Sequence, residues 1–587
     1  MRGFKLGLAI FAGVILSLGT MSGLAHAQTT IDVPAPPITP STDGNGVNLT
    51  TGQFAASTHE VSIGGSGSGL SRDGNGYSQY GDNWIGTING TSSNLTVSLG
   101  GSSEAFNLVS GLYVPAQGSA STLTCNATDC YYTLADGTLA DYKLGSSQHG
   151  IVASYATLNS IAKPDGEVDY LVYESGTLPN GNTYTYLNTV WSTLGWMLKY
   201  NIPSGITPST VEALNLSVSY CDPAATTCAA GSWPAGTFST SGPTNAMGHK
   251  MTYSPSMSAP TTITSQIGVA KTIAYYASGT YINWVNTITF GGSTWTYVYG
   301  TSGSNQVTTV TNPDGGVRTL IYNATLAQVV SDTDPLGRMT QYVYYTTTGS
   351  GAWKGAISQV IAPDATYSGA TLTGGYTQYA YDARGNVTQV TMVPKGGGTA
   401  IITSATYLTG TCANAKTCNK PLTSTDANGI VTTYTWDTNS GNVATVTKPA
   451  VGGVSPEITY TYALQTPSIM NGSGTLIAST PVYRLTTIST CMTTSSCAGT
   501  SDEKKTIISY ANSYNVQPTS ITELRGDANT AAAPSSSNEW RTTTLTYDNY
   551  GNVASSDGPI SGNTDTSYYF TNLLQQQTGM IGPDPDG

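Results

Sequence analysis

The residues of this chain that carry reactive or metal-binding groups are few, and most stand in tight, regular groups. Eight cysteines form four close pairs, Cys125/Cys130, Cys221/Cys228, Cys412/Cys418 and Cys491/Cys497, separated by mostly small and polar residues. Zinc sites prefer Cys-x-x-Cys spacing or added histidines, and the histidines beyond the first 27 residues, His59, His149 and His249, stand beside no pair. The expectation is four local disulfides that staple loops at strand ends, with a metal site as the alternative. Asp332-x-Asp334-x-x-Gly337 and Asp584-x-Asp586-Gly587 offer pieces of a calcium loop, but neither supplies the distal bidentate Glu. Turn formation accounts for both. The glycine run from Gly64 to Gly69 is not followed by the Lys-Ser/Thr of a phosphate cradle and reads as a flexible linker. No Gly-x-Ser-x-Gly elbow occurs, and His59 beside Glu60 reads as a solvated surface pair. No catalytic residue, cofactor or metal ligand is expected.

The aspartates and glycines have a different use. Tyr381-Asp382-Ala-Arg-Gly385-Asn386, Trp436-Asp437-Thr-Asn-Ser-Gly441-Asn442 and Tyr547-Asp548-Asn-Tyr-Gly551-Asn552 repeat one signal, each at the end of a run rich in Thr and Tyr. A second signal opens such runs: Pro313-Asp314-Gly315, Asp334-Pro335-Leu336-Gly337 and Asp426-Ala427-Asn428-Gly429. An Asp carboxylate accepts a hydrogen bond from a backbone N–H two residues on. Glycine then adopts the left-handed conformation that costs other residues about 1–2 kcal/mol. Alternation in the flanking runs puts Thr432, Tyr434 and Trp436 on one face and Thr433 and Thr435 on the other. Each unit therefore reads as a β-hairpin, and since one hairpin cannot bury a core, neighbours must join into a continuous sheet.

Composition agrees. The chain has 587 residues, of which only 9% are charged, with 38 Tyr against 7 Phe and 9 Trp. That mixture lacks the residues of exposed helices and suits strands joined by Gly, Asn and Asp turns. The 39% apolar content argues against disorder. Formal net charge is −12 with no basic cluster, which argues against a nucleic-acid partner.

The first 27 residues read as a signal peptide: Arg2 and Lys5, an apolar run from Leu6 to Leu18, and a cleavage site at Ala25-His26-Ala27, cut after Ala27. No later run of apolar residues is long enough to span a membrane. A secreted, periplasmic or cell-surface protein is expected.

The aromatic-Asp-x-x-Gly unit closely resembles the YD repeat of the RHS family, most clearly over residues 305–587. The opening Asp43-Gly-Asn-Gly46-Val47 and Val61-Ser-Ile-Gly-Gly65 resemble the start of secreted bacterial members. The resemblance implies an all-β fold, a long spiralling antiparallel sheet of stacked hairpins, part of a hollow shell enclosing a C-terminal effector. The family's core with its self-cleaving aspartates is absent, so the chain reads as a truncated array. The expected organisation is a signal peptide (1–27), a leader with an RHS-like start (28–65), a divergent β-rich region (66–300) and a repeat array (301–587). The expected function is an exported, non-catalytic scaffold that encloses or delivers an effector. The alternative is an adhesin whose Tyr-rich strands stack on glycans.

Overall fold

The computed structural model describes residues 34–583 apart from 38–40, 55–57, 66–67, 75–81, 117–118, 145–155, 178–180, 182, 203–208, 229–232, 240–241, 255–260, 266–267, 327, 350, 352, 451, 529–539 and 561–564. The signal segment with Ala27, and Asp584, Asp586 and Gly587, lie outside the described residues. Within them the secondary structure is entirely β, as forty-two strands joined by turns and loops.

Two large antiparallel sheets account for nearly all of it. One has 14 strands and lies between Thr87 and Thr244; the other has 24 strands and runs from Thr252 to Ile581. In the long sheet each strand pairs with the next in sequence, with one small hairpin set aside at Ser468–Met470 and Leu476–Ala478. The long sheet begins well before position 301, because the hairpins between residues 252 and 300 lack the Asp–Gly signal yet alternate in the same way. In the shorter sheet, strand Ala156–Ala162 pairs with both Thr87–Thr91 and Leu139–Leu144. That double pairing closes eight successive strands into a barrel. Ile88, Leu95, Val97, Phe106, Leu123, Tyr142 and Leu158 are buried with at most 4% exposure, so its core is packed side chain.

Strict succession of antiparallel strands has a geometric consequence. Alternate connections of the long sheet fall at opposite ends, so its turns form two rows. The row holding 382–386, 437–442 and 548–552 abuts the shorter sheet; the row holding 312–316, 334–338 and 426–430 faces away. The inner row and the shorter sheet share one core, in which Val482, Leu485, Ile508, Tyr510 and Val516 pack with Val61, Ile63, Leu194, Trp196 and Leu198.

The opening segment has its own seat on the long sheet. Val47 and Leu49 are buried against Ile273, Ile288, Tyr297 and Leu320. Tyr297 donates its hydroxyl to Asp43 at 2.6 Å, and Lys271 donates to the Asn45 carbonyl at 3.0 Å.

Candidate functional site

The inner row of corners is the most highly organised polar surface of the fold. At the corner of residues 382–386, Asp382 Oδ1 accepts the backbone N–H of Arg384 at 2.8 Å and of Asn386 at 2.9 Å. Asp548 repeats this with Tyr550 and Asn552, both at 2.9 Å. At the longer corner, Asp437 Oδ1 accepts both the N–H and the hydroxyl of Ser440 at 2.7 Å. Gly385, Gly441 and Gly551 close these corners with positive φ.

The aromatic residue before each Asp works across the sheet. Tyr381 donates its hydroxyl to the Ile357 carbonyl at 2.7 Å, Trp436 its indole N–H to Pro421 at 2.7 Å, and Tyr547 its hydroxyl to Pro518 at 2.7 Å. Each acceptor lies at the inner end of the preceding strand or just before it, so the bond ties one hairpin to the last. A register shift falls at all three aromatic residues, between Ala380 and Tyr381, Thr435 and Trp436, and Thr546 and Tyr547. The bulge re-aims the ring as the strand ends. Burial pushes the hydroxyl pKa values of Tyr381 and Tyr547 up, so both stay protonated donors.

Asparagine after the glycine links corner to corner. Asn386 donates to Asp382 at 2.8 Å and to Asn419 at 3.2 Å; Asn552 donates to Asp548 at 3.0 Å and to Gln575 at 2.5 Å. The loop stapled by Cys412–Cys418 is wedged into this row. Arg384 donates to the Gly410 carbonyl at 3.0 Å, Asn414 to Thr438 at 2.9 Å, and Asn419 reaches the Ala135 carbonyl in the barrel at 3.3 Å.

Opposite the corners, the shorter sheet presents a matching surface. Asn215 and Asn515 exchange amide hydrogen bonds at 3.0 Å, and Asn215 also donates to the Asn549 carbonyl at 3.1 Å. Gly64 donates to the Tyr550 carbonyl at 2.8 Å. Gly64 is therefore a close-contact point, which corrects the linker reading: a Cβ there would lie 2.8 Å from the Trp196 ring. Arg484, on the long sheet and 1% exposed, pairs with Asp165 and lies 3.5 Å from Glu167 on the shorter sheet. Lys163 completes the group at 2.8 Å from Glu167 and 3.4 Å from Asp169. Burial, offset by Lys163, moves the Asp169 carboxyl up to about 6.

Two further buried charges escaped sequence reasoning. Arg72 is fully buried between Glu60 and Asp82, with the Phe238 ring 4.3 Å away. Glu60 is therefore a core ion-pair partner and not part of a solvated pair with His59, which bonds Asp73 at 2.7 Å instead. A register shift between His59 and Val61 falls at Glu60 and parts the two neighbours. Lys199 is 2% exposed and donates to Thr189 at 2.8 Å and to the Pro223 and Ala225 carbonyls of the loop closed by Cys221–Cys228. Burial lowers its pKa to about 8. Buried charge has no short motif, so only the lone Arg or Lys in an apolar strand hints at it.

The outer row is simpler. Asp334 Oδ1 accepts the N–H of Leu336 at 2.9 Å and of Arg338 at 3.0 Å, and Asp426 accepts those of Asn428 at 2.8 Å and Ile430 at 2.9 Å. Asp314 accepts the N–H of Gly316 at 3.0 Å. Beside this row Asp332 takes a two-pronged bond from Arg318 at 2.9 and 2.7 Å, an ion pair in the place of a cation ligand. Gly337 and Gly429 carry positive φ, and Cβ atoms there would meet nothing within 4 Å. Cys491–Cys497 staples a loop at this end, and Cys125–Cys130 joins facing residues of a barrel hairpin. Among the described residues no group of three His, Cys, Asp or Glu is placed to hold a metal, and no helix is long and apolar enough to cross a membrane.

Many of the long sheet's tyrosines face inward: Tyr297, Tyr299, Tyr379, Tyr381, Tyr434 and Tyr510 are each at most 7% exposed, whereas Tyr367 and Tyr568 are about half exposed. The outward face carries threonines instead, in hydrogen-bonded pairs such as Thr406–Thr423 at 2.7 Å and Thr435–Thr445 at 2.8 Å.

No protein-family model matches the chain, and no curated protein matches it. Solved structures with a detectable likeness include a crystal structure of TcdB2-TccC3, at 14% identity and a TM-score of 0.30, covering 82% of this chain and 27% of that one. A Photorhabdus luminescens Tc holotoxin pore gives 13% identity and a TM-score of 0.31, covering 82% of this chain and 26% of that one. A porin-like protein from Bacteroides uniformis gives 15% and 0.17, covering 43% of this chain and 94% of that one. The chain spans about a quarter of the length of the two toxin chains. At TM-scores this low the likeness carries no argument, and the all-β architecture rests on the chain's own strand pairing.

Proposed function

We propose that this chain is an exported, non-catalytic scaffold of the RHS type, a stretch of β-shell that encloses or delivers an effector carried C-terminally in the longer assembly. The observation that carries the reading is the run of 24 antiparallel strands, which shares a core with the shorter sheet through Val482, Leu485, Ile508, Tyr510 and Val516. Such a wall is braced where an aromatic donor ties one hairpin to the last, at Tyr381, Trp436 and Tyr547, and where Asn419 reaches the barrel. The carboxylates buried at the joint, Asp165 and Glu167, hold Arg484 in place, a structural task. The four disulfides fit an oxidising compartment.

Small-angle scattering and limited proteolysis test the proposal. A solid ball of 587 residues would have a radius of gyration of about 25 Å. A curved wall should exceed that value and leave a deficit of short interatomic distances. Expressed from its complete natural reading frame, the protein should shield its C-terminal segment from protease until the shell is unfolded. A compact scattering curve, or a C-terminal segment cut as fast as a free peptide, would refute the shell.

A further inference from the structure

The barrel hairpin of Ser102–Val109 and Leu112–Pro115 runs past the end of strand Asn94–Leu99 on one side, while strand Thr122–Cys125, paired at Tyr113 and Leu123, flanks the other. Strand Asn94–Leu99 ends opposite Asn107, and beyond that point Leu108 is held only by a hydrogen bond to the Ser93 carbonyl at 2.8 Å and by its own hairpin partner. The turn at Ser110 and Gly111 has positive φ at both residues, 52° and 84°, the tight form that matches strand twist. The tip is thus a formed hairpin and not a loose loop.

Its side chains are mostly apolar and stand exposed. Leu108 is 42% exposed, Val109 53%, Leu112 71% and Val114 41%. Register puts Val109 and Leu112 opposite each other on one face, with Val114 beside them, and Leu108 opposite Tyr113 on the other. A strand that covers a core is apolar on one face; this tip is apolar on both. No charged residue occurs between residues 105 and 115. On the long sheet, Val298 is exposed between Tyr297 and Tyr299, which are both buried, and so presents one apolar side chain outward.

We infer that this hairpin tip inserts into the surface of a lipid bilayer of neutral headgroup charge. A protein docking site needs one apolar face set in a complementary groove, whereas a convex tip apolar on both faces suits immersion in a fluid. The two cross-strand pairs beyond Asn107, Leu108–Tyr113 and Val109–Leu112, reach about 7 Å at roughly 3.3 Å each, within the depth of the headgroup–acyl boundary. Tyr113 stands opposite Leu108, one step back from the outermost pair, its hydroxyl donating to the Ser92 carbonyl at 3.0 Å. That is where an aromatic ring with a polar tip belongs at a membrane interface. The net charge of −12 opposes approach to anionic lipid, so the apolar tip must supply the affinity. The inference stands apart from the scaffold reading and survives its failure.

Flotation of the purified chain with phosphatidylcholine vesicles is the test. Wild-type protein should float, equally at low and high salt, and Leu112→Asp should lower the bound fraction by at least about tenfold, the scale of withdrawing one leucine from hydrocarbon. Val298→Asp, an exposed position on the long sheet, should float as wild type does. Far-UV circular dichroism of Leu112→Asp should match wild type. Should that variant misfold, Leu112→Trp provides a second reading, since its emission should shift to the blue and be quenched by brominated lipid only when vesicles are present. Absence of flotation, a requirement for anionic lipid, or salt-sensitive binding would overturn the inference. So would self-association on gel filtration abolished by Leu112→Asp without vesicle binding, which would make the tip a protein contact.

Discussion

An added Cβ at Gly551 would lie 2.5 Å from the ring of Trp196, while one at Gly429 would meet nothing within 4 Å, although both glycines close an Asp-x-x-Gly corner at positive φ. The same contrast holds along both rows. Gly385 and Gly441 face Trp353 and Lys416 with little room, whereas Gly315 and Gly337 are open. Corner chemistry makes the turn in either place; what lies beyond the corner decides whether the turn is also a joint. The inner row is where two sheets become one body, and the outer row only reverses the chain.

Charge removal should separate the rows most widely. Arg484→Ala would remove the cation that Asp165 and Glu167 share across the joint and leave Lys163 alone to balance the buried carboxylates, a loss of about 3–5 kcal/mol. Arg338→Ala removes the partner of Asp334 at an outer corner where the arginine side chain is 65% exposed, and should cost less than about 1 kcal/mol. Denaturant midpoints of the two variants measure the difference. Equal losses would mean that the buried cluster does not hold the sheets together.

The next largest contrast is steric. Gly551→Val and Gly429→Val both place a side chain in the left-handed region, at about 1–3 kcal/mol. Gly551→Val must also displace the Trp196 ring, adding about 1–3 kcal/mol of overpacking. Thermal unfolding should therefore rank the pair with Gly551→Val lower, and near-UV circular dichroism should report a changed tryptophan environment in that variant alone.

A smaller step separates the aromatic donors from the outward threonines. Tyr381→Phe leaves the buried Ile357 carbonyl without its donor and should cost about 1–3 kcal/mol. Thr435→Val on the outward face breaks the exposed bond to Thr445 and should change stability by less than about 0.5 kcal/mol. Comparable denaturant midpoints for the two would show that the tyrosine hydroxyl does not tie hairpin to hairpin.

Much of the architecture was legible from periodicity, because strand alternation and Asp–Gly corners are local. Thr432 and Tyr434 are buried while Thr433 and Thr435 are exposed, the outcome that alternation alone dictates. The two kinds of corner, one ending the Thr- and Tyr-rich runs and one opening them, are distinct in the residues, but which kind meets the shorter sheet is not. Inner corners read aromatic-Asp…Gly-Asn, as at Tyr381 and Asn386, whereas two of the outer ones begin Thr-Asp, at Thr333 and Thr425. The aromatic and the asparagine are the two groups that reach beyond the hairpin. What stayed out of reach was the joint itself. Arg484 and Asp165 are 319 residues apart, and neither carries a motif that names the other.

The outer corners should show the weakest signal, an acid-dependent one. Backbone N–H groups of Ile430 and Asn428 hold the Asp426 carboxyl below its ordinary value of 3.8. A carboxyl whose pKa is depressed by folding adds stability that is complete above its unfolded value and fades as pH falls through the folded one. Asp426→Asn keeps the turn, since Asn471 already makes the same corner by accepting the N–H of Ser473 at 3.1 Å and of Thr475 at 3.0 Å. The variant should therefore be slightly less stable than wild type near neutral pH, and the gap should close below pH 3.8. Thermal midpoints across that range decide it. A gap that persists in acid would mean that Asp426 stabilises its corner by shape, with charge contributing nothing, and the two rows would then differ in packing alone.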